Sequence, residues 1–217
     1  LNCAIKFGQE NGFTHLLTMD QDSKFLNNSL AKMIKWINDN NENNIGIISP
    51  YHLTDQNFHE NINEDLIVDT PTVMTSGNIL YLSACIKVGG FIEKYFIDYI
   101  DHEYCLRLRK NGYSIKIMMS SILIHKLGDI KTKKFLFHKI SYTNHDYIRR
   151  YFITRNRLDV ISKYLFFSPI VVLKDLKNFF KEWIKIILFE DDKLKKNRAI
   201  ILGIKDFSLR KYGKYRY

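Results

Sequence analysis

The sequence predicts an α/β protein with a largely parallel sheet flanked by helices. Short apolar runs alternate with segments of helical period, and the first of these runs ends on acids, where open α/β sheets bind their ligands. With 217 residues and 46% hydrophobic content, the chain also has enough apolar material to bury a core.

Residues 1 to 11 read as a helix closed by Asn11-Gly12. The run from His15 to Met19 suits a buried parallel strand whose carboxyl end is Asp20. Asn28-Ser29 then caps a helix with Leu30, Met33, Ile34 and Ile37 on one face, ended by Asn40-Asn41. Ile45 to Ser49 is the next strand, stopped by Pro50, and residues 51 to 66 read as a long surface loop. Thr72 to Leu82 returns to strand character, interrupted at Ser76-Gly77-Asn78, where small residues let a backbone approach a ligand closely.

Gly89-Gly90-Phe91 marks a turn, and the acidic stretch from Phe96 to Arg107 leads into a helix ending near Asn111-Gly112. Tyr113 to Met119 and Ile122 to Ile124 read as strands, with His125 at the end of the second. From Ser141 onward the pattern is helical. A helix over about 172 to 189 places Leu173, Leu176, Phe180, Trp183, Ile184 and Ile187 on one side, with Lys174, Lys177, Lys181 and Lys185 on the other. That pattern fits a helix lying in a membrane interface, and equally one packed on its own domain with a solvated lysine face.

Charge divides the chain. Residues 1 to 130 hold 11 Lys+Arg against 15 Asp+Glu, whereas residues 131 to 217 hold 22 against 8, a net −4 beside a net +14. The expected organisation is a core over 1–130 and a basic, mainly helical extension over 131–217 with affinity for anionic membranes or phosphate-bearing partners. Nucleic acid is not expected among those partners, because the front is acidic and no recognition module is present. Cys3, Cys85 and Cys105 form no C-x-x-C pair, and their odd number argues against a disulfide framework, so a reducing cytoplasm is the expected setting. No apolar run approaches the roughly 18 residues that span a bilayer.

Asp20 and Asp22 straddle Gln21, so in an extended segment both carboxylates project to one side and can share a divalent cation such as Mg²⁺ or Mn²⁺. Turns and helix starts also use aspartates in this spacing. His125 at another strand end offers a nitrogen ligand that shifts preference toward Mn²⁺, while a structural role is the commoner fate of a lone histidine. Asp101, near a helix start, reads either as a capping carboxylate or as a general base for an incoming hydroxyl. Glu103 and Arg107 are four apart in the favourable order for a helical ion pair.

Asp20-Gln21-Asp22-Ser23, Thr75-Ser76-Gly77-Asn78, Val88-Gly89-Gly90-Phe91 and the stretch from Phe96 to Arg107, in this order, resemble the inverting family 2 glycosyltransferases, particularly bacterial rhamnosyltransferases. The resemblance extends through Asn111-Gly112-Tyr113, Ile124 to Gly128, and Arg150 to Asn156. It implies a Rossmann-like GT-A fold and a nucleotide-sugar donor, dTDP-rhamnose or a UDP-sugar. The acceptor it implies is a glycan or lipid-linked molecule, reached in the cytoplasm or peripherally at the inner membrane face.

Residue by residue, the resemblance puts Asp20, Asp22 and His125 on the metal, Asp101 as base, and Ser76 and Gly77 near the reacting sugar. Asp98, Glu103, Arg107 and Arg155 join the substrate side, with Arg150 and Asn156 as further candidates for phosphate or acceptor contacts. Leu1 falls near the helix before the D-x-D strand, so the strand-helix-strand half that grips the nucleotide base is expected to be missing. The alternative expectation is therefore an inactive remnant, or a module that binds a sugar nucleotide or metal without turnover.

Overall fold

The structure, a computed structural model, describes residues 1–40, 42–54, 66–125, 130–135 and 138–215. The chain divides into two compact units, one of Leu1–Phe91 with Asp101–Leu127, the other of Ile92–Ile100 with Gly128–Tyr217.

In the first unit the elements run α1 (Asn2–Glu10), β1 (His15–Leu17), β2 (Lys24–Phe25), α2 (Ser29–Asp39), β3 (Ile45–Leu53), β4 (Ile67–Asp69), β5 (Ile79–Tyr81), α3 (Leu82–Val88), α4 (Ile100–Lys110) and β6 (Ser114–Ile124). The fold class is α/β, as the sequence predicts: a mixed sheet in the order β1-β5-β3-β6-β2, with β4 also on β6, flanked by helices. The balance of directions differs from the expectation. Among the described residues β3 and β6 run parallel, whereas β1–β5, β3–β5, β2–β6 and β4–β6 are antiparallel. Strands of two or three residues carry no directional signal in their sequence, since direction is set by the partner.

Several element boundaries shift for identifiable reasons. The run from His15 is an edge strand, half-exposed and antiparallel to β5, rather than a buried parallel one. Pro50 does not stop β3. The register against β6 slips between Pro50 and Tyr51, which accommodates the missing N–H, and Tyr51–Leu53 then pair with Ile122–Ile124. That pairing also joins the two expected strands after Tyr113 into the single β6. The expected strand from Thr72 shrinks to Ile79–Tyr81, with Leu82 already in α3. Of the expected loop from 51 to 66, residues 55–65 lie outside the described residues.

The core of this unit gathers Met33, Ile45, Ile48, Ile79 and Met118, against which Phe25, Leu30, Trp36 and Ile37 pack. Ile34, placed on the same face by period, is 47% exposed. Ser29 ties α2 to the sheet: its hydroxyl donates to the Leu26 carbonyl and accepts the Ile122 N–H at 2.9 Å.

In the second unit a hairpin of β7 (Ile130–Phe135) and β8 (His138–Thr143) precedes α5 (Tyr147–Tyr164), α6 (Pro169–Phe189) and α7 (Lys193–Ser208). The helical pattern thus starts at Tyr147, not Ser141, where Asp146 caps α5 by accepting the Arg149 N–H at 2.7 Å. Helices α5 and α7 approach closely at Gly203, where an added Cβ would fall 2.8 Å from the Tyr151 carbonyl oxygen. The Tyr151 hydroxyl donates to Asp206 at 2.8 Å in the same contact.

Helix α6 departs from the expected two-sided pattern. Val172, Phe179 and Ile186 are buried, with Leu176 and Trp183 packed beside them, but Leu173, Phe180, Ile184 and Ile187 are exposed. The apolar arc is wide enough to make two faces, of which one is packed.

Candidate active site

The sheet sets the first cluster. Asp20 and Asp22 lie in the turn between β1 and β2, and His125 follows the last residue of β6, which β2 pairs. The structure brings Asp20, Asp22 and His125 together, one potential ligand atom from each lying within 4.8 Å of the others. Both aspartates are exposed and His125 is half-buried. Two carboxylate oxygens and an imidazole nitrogen form a donor set whose chemistry suits Mn²⁺ or Mg²⁺.

Hydroxyl groups frame this cluster. The Ser23 Oγ lies 2.8 Å from His125 Nδ1, the Ser76 hydroxyl donates to Ser23 Oγ at 2.8 Å, and the Asp20 N–H donates to Ser76 Oγ at 3.1 Å. Such contacts fix the ring orientation of a histidine ligand. His52 completes the frame: its Nε2 donates to the Ser76 carbonyl at 2.7 Å, and its ring centroid is 6.2 Å from that of His125. Burial lowers the His52 pKa, the nearby His125 adds to this, and the Ser76 carbonyl and Asp20 only partly offset it. The ring is therefore neutral at pH 7.

The sequence offers a signal for Ser23, in the Asp20-Gln21-Asp22-Ser23 motif. It offers none for His52 when Pro50 is read as ending the strand; with β3 continued, His52 falls beside the end of β6.

Ser76 is buried, and Gly77 adopts φ +77°, a backbone state open to glycine. A Cβ there would meet Pro50 Cγ at 2.8 Å and Leu123 Cδ2 at 2.9 Å, so the close approach is to the sheet's own side chains.

Asp101 sits in the first turn of α4, where the helix dipole favours a negative charge. Its Oδ1 accepts the His102 N–H at 2.8 Å and lies 2.9 Å from His102 Nδ1. Burial pushes the carboxyl pKa up, but the ring and backbone of His102 outweigh it and hold the group below its usual range. Asp101 is thus ionised at neutral pH and able to accept a proton.

The other acids and bases of the stretch have structural partners. Glu103 is 1% exposed and pairs with Arg107 at 3.0 Å, while Arg107 also donates to the Val88, Gly89 and Gly90 carbonyls. This staples α4 to the turn after α3.

In the second unit Phe96, Asp98 and Tyr99 all have positive φ, a strained run for residues with side chains. Asn156 holds it by donating to the Tyr95, Ile97 and Asp98 carbonyls. Asp98 pairs with Arg149 at 3.0 Å. Arg155 is fully buried, its guanidinium spent on Asn156, Tyr151 and the carbonyls of Lys94, Tyr95 and Gly213. Arg150 is likewise buried against Glu190 and the Thr143 carbonyl. The contacts of Arg150, Arg155 and Asn156 among the described residues are thus internal to the second unit, with neither guanidinium presented to solvent.

No family model matches the chain. Over 175 residues it is 26% identical to a dTDP-rhamnosyl transferase, RfbF, of Shigella flexneri, a match covering 75% of this chain and 58% of that protein. The chain thus spans little more than half the length of this curated relative.

Proposed function

We propose that the chain belongs to a metal-dependent, inverting glycosyltransferase of family 2 and GT-A type, moving rhamnose from dTDP-rhamnose to a glycan or lipid-linked acceptor. The observation that carries this reading is the convergence of Asp20, Asp22 and His125 within 4.8 Å. The distant similarity to a dTDP-rhamnosyl transferase supports the choice of donor.

Asp20, Asp22 and His125 would hold Mg²⁺ or Mn²⁺, which supplies charge stabilisation for a departing diphosphate. Ser23 and Ser76 orient the His125 ring, and the turn carrying Asp20 is fixed through its own N–H on Ser76. Asp101, kept ionised by His102, accepts the proton of the acceptor hydroxyl. Attack on the sugar face opposite the leaving group inverts the anomeric centre, and positioning of the two substrates supplies much of the remaining rate.

Calorimetry with dTDP-rhamnose tests this directly. Binding is expected with Mn²⁺ present, to vanish with chelator, and to vanish in Asp22→Ala. Absence of binding by the chain, or binding indifferent to both metal and Asp22→Ala, contradicts the reading and favours a remnant without turnover.

A further inference from the structure

Helix α6 sorts its charges as sharply as its apolar residues. Its only acids, Asp175 and Glu182, are both engaged by the unit's own residues: Glu182, with its side chain 38% exposed, pairs with Arg157 at 3.0 Å, and Asp175 pairs with Arg157 at 3.4 Å and accepts from the Tyr99 hydroxyl. Lys185 is also engaged, donating to the Ser141 carbonyl at 2.8 Å. What remains outward is an exposed apolar stripe of Ile170, Leu173, Phe180, Ile184, Ile187 and Leu188, with exposed Lys174, Lys177 and Lys181 in and beside it. At 100° per residue these two sets occupy adjoining arcs rather than opposite sides. Just before the helix, Phe166 is 97% exposed.

From this arrangement we propose that the outward face of α6 docks on a bilayer rich in anionic lipid. The apolar stripe is too long and continuous along the helix to be scattered surface exposure. An ordinary solvated helix would carry unpaired acids and bases on its outer side, whereas this one has both acids paired with Arg157 and lysines exposed outside. That charge asymmetry is complementary to phosphate headgroups, and the lysine stems reach past the stripe to the headgroup level. Among the described residues no helix is long and apolar enough to cross a membrane, so the geometry is that of a helix lying in the interface.

The test is flotation of the 217-residue chain with vesicles of phosphatidylcholine alone and of equal parts phosphatidylcholine and phosphatidylglycerol. The chain is expected to float with the mixed vesicles and not with the neutral ones. Combined Phe180→Ser, Ile184→Ser and Ile187→Ser should reduce binding by about tenfold or more with an unchanged circular dichroism spectrum. Combined Lys174→Gln, Lys177→Gln and Lys181→Gln, which removes no packed group, should reduce it roughly a hundredfold and weaken its salt dependence. Failure to float with anionic vesicles overturns the proposal, as does flotation that survives both sets of substitutions. Light scattering that shows a dimer converted to monomer by the serine substitutions, without vesicle binding, assigns the face to a second protein copy and overturns it equally.

Discussion

Polar residues cluster in both units, but on opposite terms. In the first, Asp20 and Asp22 are exposed, and among the described residues neither carboxylate has an ion pair, yet their ligand atoms converge with that of His125. In the second, Arg150, Arg155 and Arg157 are buried, at 3%, 0% and 5% exposure, and each bonds to partners inside the unit, although the Arg150 Nε finds none among the described residues. The contrast teaches how to sort charged residues. Charges that leave water stay only when paired, and so report on the scaffold; charges that converge in water are free to take a ligand.

The second unit should break first. Glu190 sits between Arg150 and Lys196, accepting from both in a buried setting. Glu190→Gln leaves two buried cations undercompensated and is expected to cost about 3–5 kcal/mol in urea unfolding, with metal binding unchanged. An effect under about 1 kcal/mol would blur the distinction between the two clusters.

Acid should act through the same unit, with a smaller effect. Asp159 accepts from the Tyr95 and Tyr212 hydroxyls and pairs with Lys163 and Lys94. Burial opposes its ionisation, but those donors prevail and hold its pKa down at about 2. A carboxyl depressed on folding contributes stability that is fully present above its unfolded value and is lost as pH falls through the folded one. The window therefore runs from about pH 4 down to pH 2, and the amount is about 2 kcal/mol. The stability difference between wild type and Asp159→Asn should shrink across this window; a difference constant with pH contradicts the assignment.

The part of this picture that local pattern carries was legible in the sequence. An apolar run before Asp20-Gln21-Asp22, and a second ending in His125, mark two places where a strand gives way to polar side chains, and those side chains do converge. What could not be read depends on distant partners. Arg155 and Asn156 look like exposed polar residues of a helix, and only the fold brings the carbonyls of residues 94 to 98, some 60 residues earlier in the chain, onto them. His52 was concealed because a register slip lets β3 pass a proline, and a slip is a property of two strands. Period alone identifies one apolar arc on α6, while which part of it is packed depends on residues such as Ile200 in α7.

On this reading the exposed cluster takes a ligand and is not part of the scaffold. Titrating Mn²⁺ into wild type, Asp22→Ala and His125→Ala, followed by electron paramagnetic resonance with a thermal melt of each sample, tests it most directly. Saturable binding by wild type is expected, with a loss of at least about tenfold in affinity in either variant and melting temperatures of the metal-free proteins that agree closely. Variants that bind Mn²⁺ like wild type, or that melt far lower without metal, would contradict it.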